Sequence, residues 1–595
     1  MTDKPHSRHT GIAGMKRCDW KRQERKETDM EALLLLAAII VAAIFFLIKG
    51  AWDERGKKEQ VKERIHEAYG KEWKREYSEE ELGGILGFYE AHRRENQIDD
   101  ITWNDLSMDE IFFRLNHTYS SAGQEYLYYA LRTPALSAEE QEGMEERLSW
   151  IDGNEREREQ LQLLFWTLGR SGKYSVYDYL GYLDGLGERS SGRDILMDVL
   201  LFASLLLIPF EASVGMMLFF IVITVNMFTY MKEKRRVEPY LVSFAYVKRI
   251  LDFAKEIQKV QAPGFAKEWK ELKELEGRFG KFRYSAVLGM RGSNTAGDPL
   301  SILLDYINML LHLDIICFNA MFAEVKKHLA DIDRMIELVG RTEALLAVAS
   351  YRASLKEGWC RPVFSQEKNL SIRGLYHPLL KEPVKNDIRT HRGVLVTGSN
   401  ASGKSTFLKA VALNALLAQT IGTCTAESYQ GGFWRIYTSM ALRDDLESGE
   451  SYYIVEIGAL KRILDVTAVK TPPVLCFVDE VLRGTNTVER IAASTQILKS
   501  LSRENVMCFA ATHDIELTRL LQEEYDNYHF EEQVGENDIS FNYVLMPGRA
   551  TTRNAIRLLG IMGYDEEIIR EADAMAARFM RTGEWEPEHG NAASE

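Results

Sequence analysis

The residues with the clearest chemical meaning form one run, 398–406, with the sequence Gly-Ser-Asn-Ala-Ser-Gly-Lys-Ser-Thr. An apolar stretch precedes this run and a stretch with helical spacing follows it, as in the GxxxxGKS loop that binds phosphates. In such a loop the backbone N–H groups and the positive end of the next helix point at phosphate oxygens. We therefore predict that phosphate groups bind Gly398, Ser399, Asn400, Ala401, Ser402, Gly403, Lys404, Ser405 and Thr406.

Two carboxylates follow a second apolar stretch. Residues 473–478 predict a buried parallel strand, and Asp479 and Glu480 come directly after it. Phosphoryl transfer depends mostly on positioning and on charge stabilisation. We predict that Lys404 reaches the β- and γ-phosphates and that Ser405 and Asp479 hold Mg²⁺. Glu480 is the predicted residue that polarises the attacking water.

A third apolar stretch, 506–512, ends at His513. Ligands of open α/β sheets bind at the carboxyl ends of the strands, which places this histidine within reach of a γ-phosphate. A single histidine in this position would ordinarily be structural, but the two preceding motifs favour a catalytic role. The three stretches together predict an α/β P-loop domain.

The composition limits the remainder of the chain. With 595 residues, 46% of them hydrophobic, the chain is long enough for two or three domains with substantial cores. The formal net charge of −14 argues against a broad basic face for nucleic acid, although not against a local one. The six cysteines lack CxxC or zinc-site spacing and are predicted to be reduced thiols, mostly in the core.

Several motifs around the P-loop resemble the ATPase domain of MutS-type DNA mismatch-repair proteins, which are ATPases of the ABC class. The resembling segments are 374–378, 385–388, 397–406, 444–456, 479–486 and 511–518. The resemblance implies ATP and Mg²⁺ as cofactors, with His377 and Asn386 as further ATP-binding residues. It also implies a homodimer in which Gly449 and Ser451 complete the ATP site of the partner subunit.

This chain departs from the family at two places. It has Tyr452-Tyr453-Ile454 where Thr-Phe-Met is usual, and Ala401-Ser402-Gly403 where Met-Gly-Gly is usual. These differences indicate a divergent branch. The nucleotide chemistry predicted from the motifs does not depend on them.

Weaker similarity extends over most of residues 100–580. Residues 101–134 are similar to the start of the MutS core, and 340–362 to the end of the lever helix that joins core to ATPase. Residues 554–560 and 565–579 resemble the dimer-forming end of the family. Amphipathic helices without this family role would show the same patterns.

The family's mismatch-binding domain, with its Phe-x-Glu wedge, is not expected here. The triplet Phe88-Tyr89-Glu90 has the right residues, but only about ten residues separate it from the core-like Ile101. A separate domain needs at least ~50 residues. We predict instead that this triplet belongs to an apolar ridge on an amphipathic helix through Leu82, Ile85 and Leu86.

Three apolar runs predict membrane-spanning helices. Residues 32–48 carry no charge over 17 positions, and residues 199–208 and 214–230 form a pair joined by a tight corner. A buried soluble hairpin is the alternative for this pair. Lys232, Lys234, Arg235 and Arg236 follow the third run, which favours membrane spans with these residues on the cytoplasmic side.

The orientation of the first span raises a conflict. A cytoplasmic ATPase domain and an outward hairpin leave the N-terminus outside, although the leader before residue 30 is basic. Either Met30 is the initiator, or the first helix only lies on the membrane. No small-x-small cleavage site follows at 49–52, so we expect no cleaved signal peptide.

We predict an α/β P-loop (ABC-type) ATPase domain plus an all-α core and lever, with an N-terminal transmembrane helix and a transmembrane hairpin. The function expected is that of a membrane-tethered, DNA-binding clamp that hydrolyses ATP. The alternative is a nucleotide-driven membrane machine with a protein or lipid client. The expected location is a bacterial-type inner or plasma membrane, with the ATPase domain in the cytoplasm.

The predicted segments are 1–29 (leader), 30–52 (transmembrane helix), 53–99 (charged helical stalk), 100–194 (core), 195–231 (transmembrane hairpin), 232–370 (lever and core), 371–582 (ATPase and dimerisation helices) and 583–595 (tail).

Overall fold

A computed structural model describes most of the chain and divides it into two units. The described residues are 45, 49, 52–53, 55–72, 77–172, 175–183, 187–289, 306–399, 402–440, 452–483, 485–534, 539–550 and 555–585. The first unit is residues 1–67, in which 55–67 are helical. The second unit, 68–595, has a helical part up to Ser354 and then two β-sheets with flanking helices.

The helical part agrees with the predicted all-α core and lever. Its longest elements are a helix of 45 residues and a helix of 26 residues. In chain order the helices are α1 (Glu79–Ile85), α2 (Gly87–Ala91), α3 (Asp100–Asp105), α4 (Met108–Leu115), α5 (Ser121–Arg132), α6 (Met144–Gly153), α7 (Glu155–Leu168), α8 (Val176–Leu183), α9 (Gly192–Leu207), α10 (Ala212–Glu256), α11 (Ala266–Glu276), α12 (Gly280–Gly289), α13 (Leu313–Lys327) and α14 (Leu329–Ser354).

Helix α14, the predicted lever, packs closely against α5. A Cβ atom added to Gly340 would lie 2.5 Å from the carbonyl oxygen of Ala122, so glycine permits this close approach. The buried carboxylate of Glu343 accepts hydrogen bonds from the N–H groups of Tyr119 (2.5 Å) and Ser120 (3.1 Å). Glu343 therefore places hydrogen-bond acceptors beside the N-terminus of α5, and burial raises the pKa of its carboxyl group to about 7.

Residues 77–98 belong to this core, which differs from the free charged stalk predicted for 53–99. Ile85, Phe88 and Ile98 are buried in the main hydrophobic cluster. Phe88 is 1% exposed and stacks on His92 at 4.1 Å between ring centroids. Phe88 is a packing residue, as predicted. The predicted single helix is wrong, because α1 ends at Ile85, α2 begins at Gly87 and Leu82 is exposed.

The predicted hairpin forms as two paired helices, α9 and α10, with large apolar side chains exposed on both. Among the described residues one helix, over Ala212–Glu238, has the length and apolar character to cross a membrane. Helix α9 is shorter, at 16 residues. Apart from Phe45, residues 32–48 lie outside the described part of the chain. Residues 232–236 do not end the helix, because α10 continues to Glu256.

The C-terminal part is built on a six-stranded sheet in the order β10-β9-β4-β8-β7-β6. The pairs among β9, β4, β8, β7 and β6 are parallel, and β10 is antiparallel to β9. A four-stranded sheet has the order β1-β5-β2-β3. These mixed sheets fit the predicted α/β domain. The strands are β1 (Pro362–Phe364), β2 (Leu370–Leu375), β3 (Asn386–Thr390), β4 (Gly393–Thr397), β5 (Ser428–Gly431), β6 (Arg435–Ser439), β7 (Val474–Asp479), β8 (Val506–Thr512), β9 (Tyr525–Val534) and β10 (Ile539–Pro547).

The helices of this part cover the larger sheet and extend the chain beyond it. They are α15 (Lys404–Ile421), α16 (Tyr452–Val466), α17 (Thr487–Ser500), α18 (Ile515–Leu520), α19 (Ala555–Ile561) and α20 (Glu566–Thr582). Helix α15 packs on α5 of the helical core, and Gln419 donates to the carbonyl oxygen of Ala135 at 3.0 Å. Helix α20 has no buried residue among those described.

A buried carboxyl group in α5 makes the stability of this core dependent on pH. Glu125 is 2% exposed and accepts hydrogen bonds from Ser175 Oγ (2.7 Å) and the Phe88 N–H (3.2 Å). Burial raises the pKa of Glu125 to about 8. At pH 7 the folded protein therefore holds this group mostly protonated, whereas the unfolded chain ionises it near its ordinary value of 4.5.

We predict that Glu125→Gln flattens the dependence of stability on pH. Because the folded-state pKa is raised, the contribution of Glu125 is fully present below pH 4.5 and is lost as the pH rises towards 8. Between pH 5 and pH 8 the wild type should lose on the order of a few kcal/mol more unfolding free energy than the variant. Denaturant unfolding of the full chain in detergent measures this difference.

The exposed Glu90, on the neighbouring helix α2, provides the matched control. Glu90→Gln should follow the wild-type profile. Parallel profiles for wild type and Glu125→Gln would contradict the assignment of this group.

Candidate nucleotide-binding site

The loop between β4 and α15 has the backbone that a phosphate-binding loop requires. Gly398 and Gly403 have φ angles of 152° and 104°, which favour glycine. A Cβ atom on Gly398 would lie 2.8 Å from Ser402 Oγ and 3.1 Å from the Phe530 carbonyl oxygen. Asn400 and Ala401 lie outside the described residues. The loop leads directly into the N-terminus of an 18-residue helix, α15, and the dipole of this helix attracts anions at that end.

Lys404 is the first residue of that helix and its side chain is folded over the loop. It is 5% exposed, and its ammonium group donates to the carbonyl oxygens of Gly398 (3.0 Å) and Ser399 (2.8 Å). Burial lowers the pKa of Lys404 to about 8, with Asp479 acting in the opposite direction. Lys404 thus supplies a positive charge at neutral pH within the loop that is predicted to hold phosphate.

Asp479 ends β7 and Glu480 follows it, as the sequence predicts. Asp479 Oδ1 is buried without a hydrogen-bond partner among the described residues, so it offers a free ligand atom. Ser405 is exposed beside the loop. A carboxylate and a hydroxyl oxygen suit Mg²⁺, which prefers oxygen ligands. These residues therefore fit the predicted metal site.

Glu480 has the left-handed backbone conformation, with φ of 61°, and is paired with two basic side chains. Its carboxylate forms an ion pair with Arg483 and lies 2.8 Å from His513 Nε2. The same nitrogen lies 3.3 Å from Lys404 Nζ. The structure therefore brings the three predicted catalytic and phosphate-binding side chains into direct contact, although they lie on separate segments.

His513 follows β8, and its surroundings disfavour protonation of the imidazole. Its pKa is lowered first by burial and then by the positive charges of Lys404 and Arg483. The next residue, Asp514, accepts two hydrogen bonds from Arg490, at 2.9 and 2.6 Å. This pair ties the end of β8 to α17 and holds the histidine in position.

Glu456 positions the turn after Glu480, a role that no pattern in the sequence indicated separately. It is buried in α16 and accepts hydrogen bonds from the N–H groups of Leu482 and Arg483, the latter at 3.3 Å. Leu482, like Glu480, has a positive φ angle, of 60°. Such backbone conformations are costly and require support from surrounding contacts. Glu456 provides that support.

A cavity of about 470 Å³ joins these groups to the smaller sheet. His377 and Asn386, both predicted to bind ATP, line it together with Lys404 and Glu480. Burial lowers the pKa of His377 to about 4. Ser405, Thr406, Ser402 and Gly403 also line the cavity, as do further residues that were not predicted to bind ATP, among them Arg483, Phe530 and Tyr543.

Asn386 connects the cavity wall to the strand that carries Tyr543. Its side chain donates to the Tyr543 carbonyl oxygen (3.0 Å) and accepts from the Leu545 N–H (2.7 Å). The two residues predicted to act on the partner subunit's site, Gly449 and Ser451, lie outside the described part of the chain. Only sequence supports their roles.

Comparison with known proteins identifies a family match in the region that contains the phosphate loop. Residues 394–580 match the family model described as MutS domain V. Over 270 residues the chain is 31% identical to the DNA mismatch repair protein MutS of one Thermus thermophilus strain, covering 44% of this chain and 32% of the relative. It is 33% identical over 272 residues to the protein of the same name from Thermus aquaticus, covering 43% and 33%.

A third relative comes from a different genus. The DNA mismatch repair protein MutS of Pseudothermotoga lettingae is 30% identical over 267 residues, covering 43% of this chain and 32% of the relative. The chain thus spans about a third of the length of the curated relatives that it matches. The family match includes the three strand ends and Lys404, Glu480 and Tyr543 of the cavity lining, whereas His377 and Asn386 precede the matched range.

Proposed function

Because the chain belongs to the MutS family through its C-terminal domain, we propose that it binds ATP with Mg²⁺ and hydrolyses the nucleotide. The observation that carries this proposal is the contact of His513 with both Lys404 and Glu480, two residues that line a cavity of nucleotide size. The phosphate chain would lie against the loop before α15. The base and ribose would lie towards His377 and Tyr543.

Each side chain has a role that follows from its position. Lys404, which now donates to two carbonyl oxygens, would donate to phosphate oxygens instead, and Ser405 and Asp479 would hold the metal. Mg²⁺ supplies charge neutralisation of the transferred phosphoryl group. Glu480 orients the attacking water, which requires it to release Arg483. His513, which contacts both Lys404 and Glu480, would donate a hydrogen bond near the γ-phosphate.

We predict different defects when the two central residues are changed. Lys404→Ala should weaken ATP binding, because it removes the charge on the phosphate loop. Glu480→Gln should retain ATP and slow its turnover by about 10²-fold or more, the scale of a lost catalytic group. Equilibrium binding of a fluorescent ATP analogue and steady-state phosphate release measure the two effects separately.

Glu523→Gln is the control, since this carboxylate is exposed and lies away from the cavity lining. It should leave both measurements unchanged. Near-normal turnover in both Lys404→Ala and Glu480→Gln would refute the assigned roles.

We propose further that two copies of this chain form a homodimer with composite ATP sites. Helix α20 is amphipathic, and Ile568 and Met575 are exposed on it. Exposed apolar side chains on an amphipathic helix favour association with an equivalent helix. Gly449 and Ser451 of each subunit would then act on the site of the other.

For the helical core we propose DNA as the first candidate client, so that the dimer acts as a clamp related to DNA mismatch repair. Its support is the name of the relatives, which are DNA mismatch repair proteins. The second candidate is a nucleotide-driven membrane machine with a protein or lipid client. The exposed apolar hairpin of α9 and α10 and the net charge of −14 favour this second candidate.

Direct binding measurements distinguish these candidates. A DNA clamp should bind duplex or branched DNA with a Kd of ~1 µM or lower at low salt, and added salt should weaken the binding steeply. ATP should change this affinity in the wild type and not in Lys404→Ala. Fluorescence anisotropy with matched, mismatched and branched oligonucleotides provides the test, and failure of all three to bind favours the protein or lipid client.

We also propose that the chain is anchored in a membrane, with the ATPase domain in the cytoplasm. Only 11% of the most apolar window within Ala212–Glu238 is buried, and Phe210 at the hairpin corner is 84% exposed. Exposed apolar surface of this extent is unfavourable in water by roughly 25 cal/mol per Å². Insertion of α9 and the first part of α10 into lipid removes that penalty.

Fractionation after stepwise deletion checks this anchoring. The full chain should stay in the membrane fraction through high salt and alkaline carbonate. Deletion of residues 30–52 should leave it bound through the hairpin, and additional deletion of 195–231 should release it. Recovery of the full chain as a monodisperse protein without detergent would contradict membrane insertion.

A further inference from the structure

Two cysteines face each other where the helical core joins the nucleotide domain. Cys360 lies between the end of α14 and the start of β1, and Cys424 follows Gly422, the C-cap of α15. The two residues form an isolated antiparallel bridge. The N–H of each donates to the carbonyl oxygen of the other, at 2.9 and 3.0 Å. The chain thus places one thiol on each side of the junction.

This pairing suits a disulfide bond. Residues directly opposite in an antiparallel pair project their side chains to the same face, with Cα atoms about 5.5 Å apart. Disulfides span Cα separations of about 4.4–6.8 Å. The two thiols are also close enough to interact, because a hydrogen bond from Cys424 lowers the pKa of Cys360.

The two thiols differ in access and acidity. Cys360 is half-buried, whereas Cys424 is fully buried. Burial raises the pKa of Cys424. Cys360 is therefore the thiol that a small reagent can reach, and it is the more easily ionised of the two.

A buried cation adjoins the pair. The guanidinium of Arg352, in the last turn of α14, donates to the Gly422 carbonyl oxygen (2.7 Å) and to Thr423 Oγ1 (2.8 Å). Its positive charge favours the ionised form of the Cys424 thiol, which opposes the effect of burial on the pKa of that thiol. A positive charge next to a thiol pair promotes thiolate chemistry.

We propose that Cys360 and Cys424 are a reversible thiol–disulfide site, with Cys360 as the attacking thiol and Cys424 as the resolving thiol. The oxidant is a low-molecular-weight disulfide such as oxidised glutathione. Cys360 thiolate attacks one sulfur of the oxidant, forms a mixed disulfide and releases one glutathione thiolate. Deprotonated Cys424 then attacks Cys360 Sγ and releases the second. Two protein thiols are oxidised, the oxidant is reduced to two thiols, and the protons pass to these thiols or to water.

The bond would cross-link two elements that the proposed ATPase cycle has to move relative to each other. It joins the exit of the lever helix α14 to the C-terminal end of α15, whose N-terminus carries Lys404. Arg352 already holds this junction through Glu145, at 3.0 and 2.9 Å. The proposed site does not depend on ATP hydrolysis, so the two proposals can fail separately.

A second pair of facing cysteines serves as a comparison for the proposed site. Cys476 and Cys508 are also opposite each other, on the parallel strands β7 and β8. Both are fully buried in the sheet, so a small disulfide reagent cannot reach either. They should stay reduced under conditions that oxidise the proposed site.

The test uses the full-length protein in detergent, treated with oxidised glutathione, alkylated and digested without reductant for mass spectrometry. We expect a linked Cys360–Cys424 peptide that dithiothreitol removes, with Cys476 and Cys508 alkylated only after unfolding. In Cys424→Ser, the glutathione adduct should accumulate on Cys360, because the resolving thiol is missing. In Cys360→Ser, Cys424 should stay unmodified.

Three results would overturn the proposal: two free thiols at the junction after oxidation, a persistent adduct on wild-type Cys360, or modification of Cys424 in Cys360→Ser. A measurement on the folded wild type does not depend on the variants. Pulsed alkylation of the native protein should label Cys360 at least about tenfold faster than Cys476 or Cys508, on the difference in access. Equal slow labelling of all three would refute the role of Cys360 as attacking thiol.

Discussion

The candidate site depends on the order of three parallel strands, β4, β8 and β7, in the larger sheet. Parallel neighbours end at the same edge, so the residues after these strands meet although the chain separates them by up to about a hundred positions. Lys404, His513 and Glu480 come into contact for this reason. A shift of one residue in the β7–β8 register would turn the carboxylates to the other face and separate them from the loop.

The two central side chains of this edge already have partners within the protein. Lys404 is bound to loop carbonyl oxygens, and Glu480 is paired with Arg483. In the proposed function, a triphosphate would compete for Lys404, and an attacking water would need Glu480 free of Arg483. Arg483 belongs to the turn that Glu456 holds from α16. Release of the ion pair between Arg483 and Glu480 would therefore affect α16, the helix that follows the predicted partner-facing residues 449 and 451.

Local sequence patterns predicted the strands, the phosphate loop and the two carboxylates, because these depend on short runs with specific composition. They did not indicate Glu456, Arg490 or Tyr543, whose roles arise from contacts between segments distant in the chain. The many charged residues in 77–98 led to the prediction of a charged stalk, whereas several apolar residues of this segment are buried in the core. The sequence patterns also did not predict the full length of α10, because an apolar run and the charged run after it form one continuous helix.

Helix α10 links the proposed membrane hairpin to the nucleotide domain through continuous packing. Its Tyr246 hydroxyl accepts a hydrogen bond from the Ala122 N–H of α5, which packs closely on α14. Near the end of α14, Arg352 binds the end of α15, and α15 spans about 27 Å to the phosphate loop. Packing alone does not transmit a signal, because coupling also needs an element with two arrangements. The junction at Cys360 and Cys424 lies on this path, so the proposed disulfide would cross-link the helical core to the nucleotide domain there.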